Sequence, residues 1–423
     1  MLSRTAKIDP AIAYYVLKCG HAFFFTMVTS VALIFQTSEA GLNPIQLLLV
    51  GTALQGAMLI GETPTGVVAD TYGRRQSVLI GLLLVGFGVI ISGAQASFAP
   101  IFAGHVVWGL GSTFISGAGE AWIADEVGIE RANRVYLRTA QLTQVFWIAA
   151  IPVSIGIATY DLNLPILIAG ASFIALGFFL LLTMPEDGFR RTPHAQVGQT
   201  MHGLARTLSE SRNILRGRPL LITILAIMAF YGMAGQGFQR LWVAHFYENE
   251  TFPSLWHLEP VIWFGVVRMA AAVLSIFAIE FVRRWRVDSM GTHATVSRTL
   301  FWINSLQMLS ILGLAVSGDF ILAAACFSLA IALSTAYDPL HLAWINQNVE
   351  SRVRATVISM SSQMEAFGQT AGGPVIGVVA SVLSIRSALT VAGLAIFPAL
   401  LFYFRAFGQG PQAPLEPRET TER

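Results

Sequence analysis

Charge is what this chain has least of. Asp, Glu, Lys and Arg make up 12% of its 423 residues, about half the share of an ordinary soluble domain. Apolar residues reach 54% and mean hydropathy is +0.63, so a fold showing this composition to water would precipitate. Lysine is scarcer still: Lys7, followed by Ile8, and Lys18, followed by Cys19, are the only two. Neither stands in the Gly-Lys-Ser/Thr context of a phosphate loop or in the lysine signature of a phosphorylated-aspartate pump, so the chain has no nucleotide site of its own. A net charge of +2 with no basic block or acidic tail gives no reason to expect nucleic acid. The two cysteines, Cys19 and Cys326, lie far apart within apolar runs and read as buried reduced thiols. His-Glu-x-x-His and Gly-x-Ser-x-Gly are both missing, so the chain reads as no enzyme, with no cofactor and no metal.

What is present is length of apolar run, repeated. About 20 mostly apolar residues cross the hydrocarbon core as a helix, since each rises about 1.5 Å and lipid satisfies no backbone polar group. Such runs fall at 11–36, 45–69, 76–95, 101–125, 135–159, 164–184, 219–246, 259–282, 299–317, 319–345, 355–383 and 387–407. The pattern predicts an all-α membrane protein of twelve spans in two six-helix bundles. Its expected divisions are an N-terminal bundle over 1–184, a linker over 185–218, a C-terminal bundle over 219–410 and a tail over 411–423. The first run is longer than a signal-peptide core and lacks a small-residue cleavage site, so it reads as a retained span.

Loop arginines set the expected orientation. One side receives Arg4 and Lys7, Arg74 and Arg75, Arg131, Arg134 and Arg138, the linker's Arg190, Arg191, Arg206, Arg212, Arg216 and Arg218, then Arg283, Arg284, Arg286, Arg352, Arg354, Arg405, Arg418 and Arg423. The other side has only Arg386 among its loops. Both termini are thus expected in the cytoplasm of a multi-pass cell-membrane protein. The external loop near 248–259 is acidic, with Glu248, Glu250 and Glu259. Without a nucleotide site, and unless a separate subunit supplies energy, such a protein must draw on a solute or ion gradient, which makes ionisable groups within spans the place to look.

The most informative loop joins spans two and three: Gly66-Val67-Val68-Ala69-Asp70-Thr71-Tyr72-Gly73-Arg74-Arg75. Asp70 ends a helix at its negative C-terminal pole, where a carboxylate needs outside stabilisation. The start of span eleven, with Arg352 and Arg354, lies on the same side and is expected to supply it. Gly73 suits a left-handed turn, and Gly66 suits close helix approach. A plain positive-inside turn is the bland alternative.

Gly66, Asp70, Gly73, Arg74 and Arg75 resemble the loop signature of the major facilitator superfamily. The resemblance implies two six-helix bundles around a central cavity and alternating access. It also implies that Asp70 docks on the start of span eleven while Arg74 pairs with Asp125 at the end of span four, latching the outward-facing state. The run Gly104-His105-Val106-Val107-Trp108-Gly109-Leu110-Gly111 resembles the family's span-four pattern, with His105 where an arginine is usual and Trp108 where a glutamine is usual. Span five has only Pro152 and Gly156 of the drug-antiporter pattern, while a similar run, Gly368 to Gly377 with Pro374, stands in span eleven and reads as packing.

Within the spans, Lys18, His21 and Glu62 lie about 10, 15 and 12 Å from the cytoplasmic ends at about 1.5 Å per residue; if spans one and two face each other, Lys18 pairs with Glu62, either as a permanent ion pair or as one that breaks when Glu62 takes the coupling proton. Glu120, beside Trp122, lies toward the end of span four. Asp338, His341 and Glu365 are candidates for a proton or cationic-substrate site in the second half. Arg240 and Arg268, in the outer parts of spans seven and eight, either pair with Glu248, Glu250 or Glu259 or receive an anionic substrate. The leading expectation is a monomeric, proton-coupled transporter exporting a lipophilic or cationic small molecule, resembling the tetracycline and macrolide efflux branch. An organic-anion or metabolite transporter is the alternative within transport, and a non-transporting receptor the alternative outside it.

Overall fold

The computed structural model describes residues 7–188, 218–249, 252–253, 258–286, 293–349 and 351–407, without the side chains of residues 283, 285, 286, 351, 352 and 355. Arg4, the linker residues Arg190, Arg191, Arg206, Arg212 and Arg216, Glu250, the tail with Arg418 and Arg423, and the side chains of Arg283, Arg286 and Arg352 lie outside the described residues.

Most of the described residues are helical and none is in a strand, and the helices assemble into twelve rods. Span one is Pro10–Ser38, two Pro44–Tyr72, three Arg74–Ala94, four Phe98–Val127, five Ile129–Ala158 and six Leu164–Thr183. Span seven is Pro219–Asn249, eight Pro260–Arg286, nine His293–Val316, ten Phe320–Asn348, eleven Ser351–Val382 and twelve Ile385–Phe407. Eleven of these are long and apolar enough to cross a bilayer. Span eleven, at 32 residues, is longer than any of them but more polar, with Arg352, Arg354 and Glu365 in its first half.

The ends are set by local chemistry. Asp9 caps span one by accepting from the Ala11 amide at 2.8 Å, with Pro10 pre-set for the first turn. That bond, together with Arg131 at 2.9 Å, holds the Asp9 carboxyl below the usual range against a weaker opposing effect of burial. Asn43 and Gln46 form a reciprocal capping box ahead of span two, at 2.9 and 3.0 Å. Span five starts at Ile129 and span nine at His293, each six residues before the apolar run read from the sequence, because their first turns are polar and continue the helix into the membrane interface. Span four is broken at Ser116 and Gly117, where Gly117 takes φ +72°, and span twelve is broken between Leu394 and Phe397.

Packing repeats between the halves. In the first half, span one packs on five and six, two on four, and three on four and six. In the second, seven packs on eleven and twelve, eight on ten, and nine on ten and twelve. Each pairing recurs six spans later, which makes the two bundles equivalent in architecture. The halves meet where span two touches eleven and seven, and where span eight touches five and one, so the interface too is two-fold in plan.

Glycine permits the closest approaches. A Cβ on Gly88 would stand 2.5 Å from the Trp108 amide nitrogen, and one on Gly104 2.5 Å from the Gly88 carbonyl, so spans three and four touch backbone to backbone. Gly232 and Gly368 do the same for spans seven and eleven against the carbonyls of Glu365 and Ala229. Gly66 departs from its expected role: nothing lies within 4 Å of its Cβ position.

Candidate functional site

The Arg74 loop anchors one face of the first bundle, called here the basic face. Arg74 donates to Asp125 at 2.6 Å and to the Ala121 carbonyl at 2.8 Å, tying the start of span three to the end of span four. Gly73 takes φ +123°, which a Cβ would strain, and the Arg75 amide donates to Glu186 at 3.0 Å. Trp122, fully buried, donates to the Pro185 carbonyl at 2.8 Å, and the Gly188 amide donates to Glu126 at 2.7 Å. Lys7 pairs with Asp187 at 2.7 Å. The segment after span six is thus stitched across the loop, and Glu186 is a member of the cluster that sequence reading missed.

Asp70 does not dock on span eleven. Its side chain is 59% exposed and its nearest basic group is Arg74, at 3.9 Å one turn on. The reason is the position of the bundles. Among the described residues, side-chain contacts between bundles lie at mid-span and toward the opposite face. Gln55 bonds Gln369, Gln236 donates to the Leu48 carbonyl at 3.4 Å, Arg268 donates to the Thr29 carbonyl at 3.0 Å, and the Gly377 Cβ position is 3.5 Å from Ile45 Cβ. On the basic face Glu62 and Asp70 are exposed instead. Among the described residues, no side-chain bond or ion pair joins the bundles at the end where Asp70 would have to meet span eleven.

A second expected pairing is also corrected. Lys18 pairs with Glu120 on span four, not with Glu62, and lies over the Tyr14 ring at 5.6 Å. Equal depth is no guarantee of facing: spans one and two barely touch, whereas span one packs on the second segment of span four. His21 sits among Phe25 and Phe173, with ring centroids 5.9 and 5.4 Å away, in a packing role. His105 is buried. Its Nδ1 contacts the Ile101 carbonyl at 2.8 Å, which requires the proton on Nδ1 and leaves Nε2 to accept from Gln36 at 3.5 Å.

Two cavities hold the remaining candidates. The central one, about 390 Å³, lies between the bundles and is lined by Gln55, His105, Trp147, Gln239, Arg240 and Arg268, among others. No described carboxylate pairs with either arginine, so Glu248 and Glu259 do not neutralise them; Glu250 lies outside the described residues. A Cβ on Gly51 would overlap Gln236 Nε2 and stand 2.5 Å from Arg240 Nε, so the missing side chain there lets both the carboxamide and the guanidinium lie against span two. The other cavity, about 260 Å³, belongs to the second bundle and brings Asp338, His341, Ser361 and Glu365 together. His341 bonds Tyr337 at 3.3 Å and Ser361 at 2.9 Å, and Glu365 accepts from Gln369 at 3.2 Å.

The model of the Major Facilitator Superfamily matches residues 17–297. The chain belongs to that superfamily. This facilitator is 21% identical over 374 residues to YxaM, an MFS-type transporter of Bacillus subtilis, covering 85% of this chain and 86% of that one. It is 28% identical over 243 residues to the efflux pump FUS6 of Gibberella fujikuroi, covering 51% of this chain and 42% of the pump. Its fold matches the crystal structure of the nucleoside transporter NupG at a TM-score of 0.73 and 12% identity, over 94% of this chain and all of that one. The facilitator is therefore a multi-pass membrane transporter of a small molecule.

Gln55, Trp147 and Thr29 line the facilitator's candidate site, Gln369 bonds Gln55 and Gly51 backs Arg240, and none of these was singled out from sequence. Only the glutamines carried a signal, since a carboxamide within an apolar span is costly to bury without a partner.

Proposed function

We propose that this facilitator is a proton-coupled secondary transporter of small organic molecules, working by alternating access, with the basic face in the cytoplasm. The observation that carries the reading is the asymmetry of the interface. The bundles are joined from mid-span to the opposite face, while Asp338 and Glu365 line a cavity in the basic half with no described cationic side chain paired to either. An intramembrane carboxylate is costly when ionised unless something compensates it, so one that meets water in one conformation and is enclosed in the other is suited to pick up and release a proton. Rocking of one bundle on the other moves the opening to the far side, where Asp70 reaches span eleven and the Arg74–Asp125 pair holds the loop in register. The residue divisions at 184 and 219, and action as a monomer, belong to this reading. The likeness to an efflux pump over half the chain supports export as its direction.

The test is transport by purified protein in proteoliposomes under an imposed pH gradient, scored as accumulation against exchange at equal pH. Glu365→Gln is expected to abolish gradient-driven accumulation and to leave exchange at least partly intact. Full accumulation by both Glu365→Gln and Asp338→Asn would remove these acids from the coupling step.

A further inference from the structure

The central pocket poses a charge problem that the protein itself does not solve. A guanidinium carries five N–H donors and stays protonated at any physiological pH. Arg268 places one donor on the Thr29 carbonyl at 3.0 Å, and its Nε is buried without a protein acceptor. Arg240 makes no hydrogen bond or ion pair with any described residue. Charges withdrawn from water are normally matched by an opposite charge, and here two of the same sign line one pocket of about 390 Å³. That arrangement repels a cation and is relieved by an anion.

The rest of the lining describes the body of that anion. Trp147, half-buried, faces the same space, and the buried Trp108 and Trp242 border it, with Trp242 stacked on Phe327 at 4.1 Å between ring centroids and so fixed in orientation. Flat apolar walls with a few placed polar groups are the usual make-up of a small-molecule site, and indole faces also tolerate a neighbouring guanidinium. Arg240 belongs to the second bundle and lies against Gly51 of the first, while Arg268 of the second reaches Thr29 of the first. A ligand held by both thus sits at the joint between the moving halves.

We propose that the central pocket binds an organic anion with an aromatic body, its carboxylate or sulfonate held by Arg240 and Arg268 and its ring system lying against Trp147 within the aromatic lining. This rests on the transporter reading for its consequence but not for its test, which is binding alone. The protein in detergent is titrated by calorimetry with 2-naphthoate, 2-naphthalenesulfonate, 2-naphthamide and 2-naphthylmethylamine, which share a body and differ in charge. At least one anion is expected to bind tenfold or more tighter than the amide, and the amine more weakly than either. Arg240→Gln and Arg268→Gln are each expected to erase the advantage of the anion over the amide. Arg240→Lys, which keeps the charge, is expected to retain part of it and serves if the glutamine variants do not fold. Equal binding of amide and anion, preference for the amine, or no heat from either anion at millimolar concentration overturns the proposal. Gradient-driven movement of an amine in proteoliposomes would keep the transporter and sink the anion, whereas naphthoate binding without any movement would do the reverse.

Discussion

At the scale of single residues, function is decided by which polar groups are answered within the protein and which are not. Arg74 is answered twice, by Asp125 and the Ala121 carbonyl, and Lys18 by Glu120. Arg240 and Arg268 find no carboxylate among the described residues, although both are as strongly charged. Gly51 is the small residue on which this difference depends, since its missing side chain is what admits Arg240. Gly51→Ala is expected to push the Gln236 carboxamide and the Arg240 guanidinium aside and to weaken naphthoate binding severalfold, while the protein still folds, because long side chains can move where backbone cannot. Unchanged binding in a stable Gly51→Ala protein would show that Arg240 needs no such seat.

At the scale of helices, contact distance is a property of pairs of spans. Spans seven and eleven approach until a Cβ at position 232 would overlap the Glu365 carbonyl, a backbone atom with nowhere to go. Gly232→Ala is therefore expected to destabilise by about 1–3 kcal/mol, the usual range for overpacking. Gly66→Ala, whose Cβ would meet nothing within 4 Å in this conformation, is expected to be neutral or slightly stabilising through the loss of unfolded-state freedom, by about 0.4–1 kcal/mol. Thermal unfolding of the two variants side by side checks this, and the reverse order of melting temperatures would contradict the packing described. The same contacts explain why the Gly-Pro run of span eleven is a packing element. Gly368, Gly372, Gly373 and Gly377 lie in turn against Ala229, Met233, Thr52 and Ile45, so one stripe of small residues serves both its own bundle and the other.

At the scale of the whole molecule, the question is whether the closed end must open for transport. A Cβ placed on Gly377 would stand 3.5 Å from Ile45 Cβ across the end where the bundles meet, within the range a disulfide spans. On a background lacking Cys19 and Cys326, both free thiols, Ile45→Cys with Gly377→Cys is expected to cross-link on oxidation, stop transport, and recover when reduced. Undiminished transport by fully cross-linked protein would mean that the bundles do not part there.

Much of this was legible in the chain. Twelve apolar runs, a single basic side and the Gly73-Arg74-Arg75 loop specify a two-bundle facilitator, because membrane insertion responds to length, hydropathy and charge, all of which are local. Position along a span and depth in the bilayer follow from the same counting, which is why Lys18, His21 and Glu62 fall at one level. Which of them meet did not follow, because that depends on helix rotation and on which spans are neighbours: Lys18 found Glu120 and left Glu62 exposed. The state of the cycle was equally hidden. Among the described residues Asp70 meets only Arg74 here, 3.9 Å away on its own loop, and nothing local in the sequence tells whether a second helix bundle comes within its reach. Only the assembled helices decided that two arginines from different spans share one pocket with no described acid paired to either, since that is a statement about proximity across the fold rather than about neighbours along the chain.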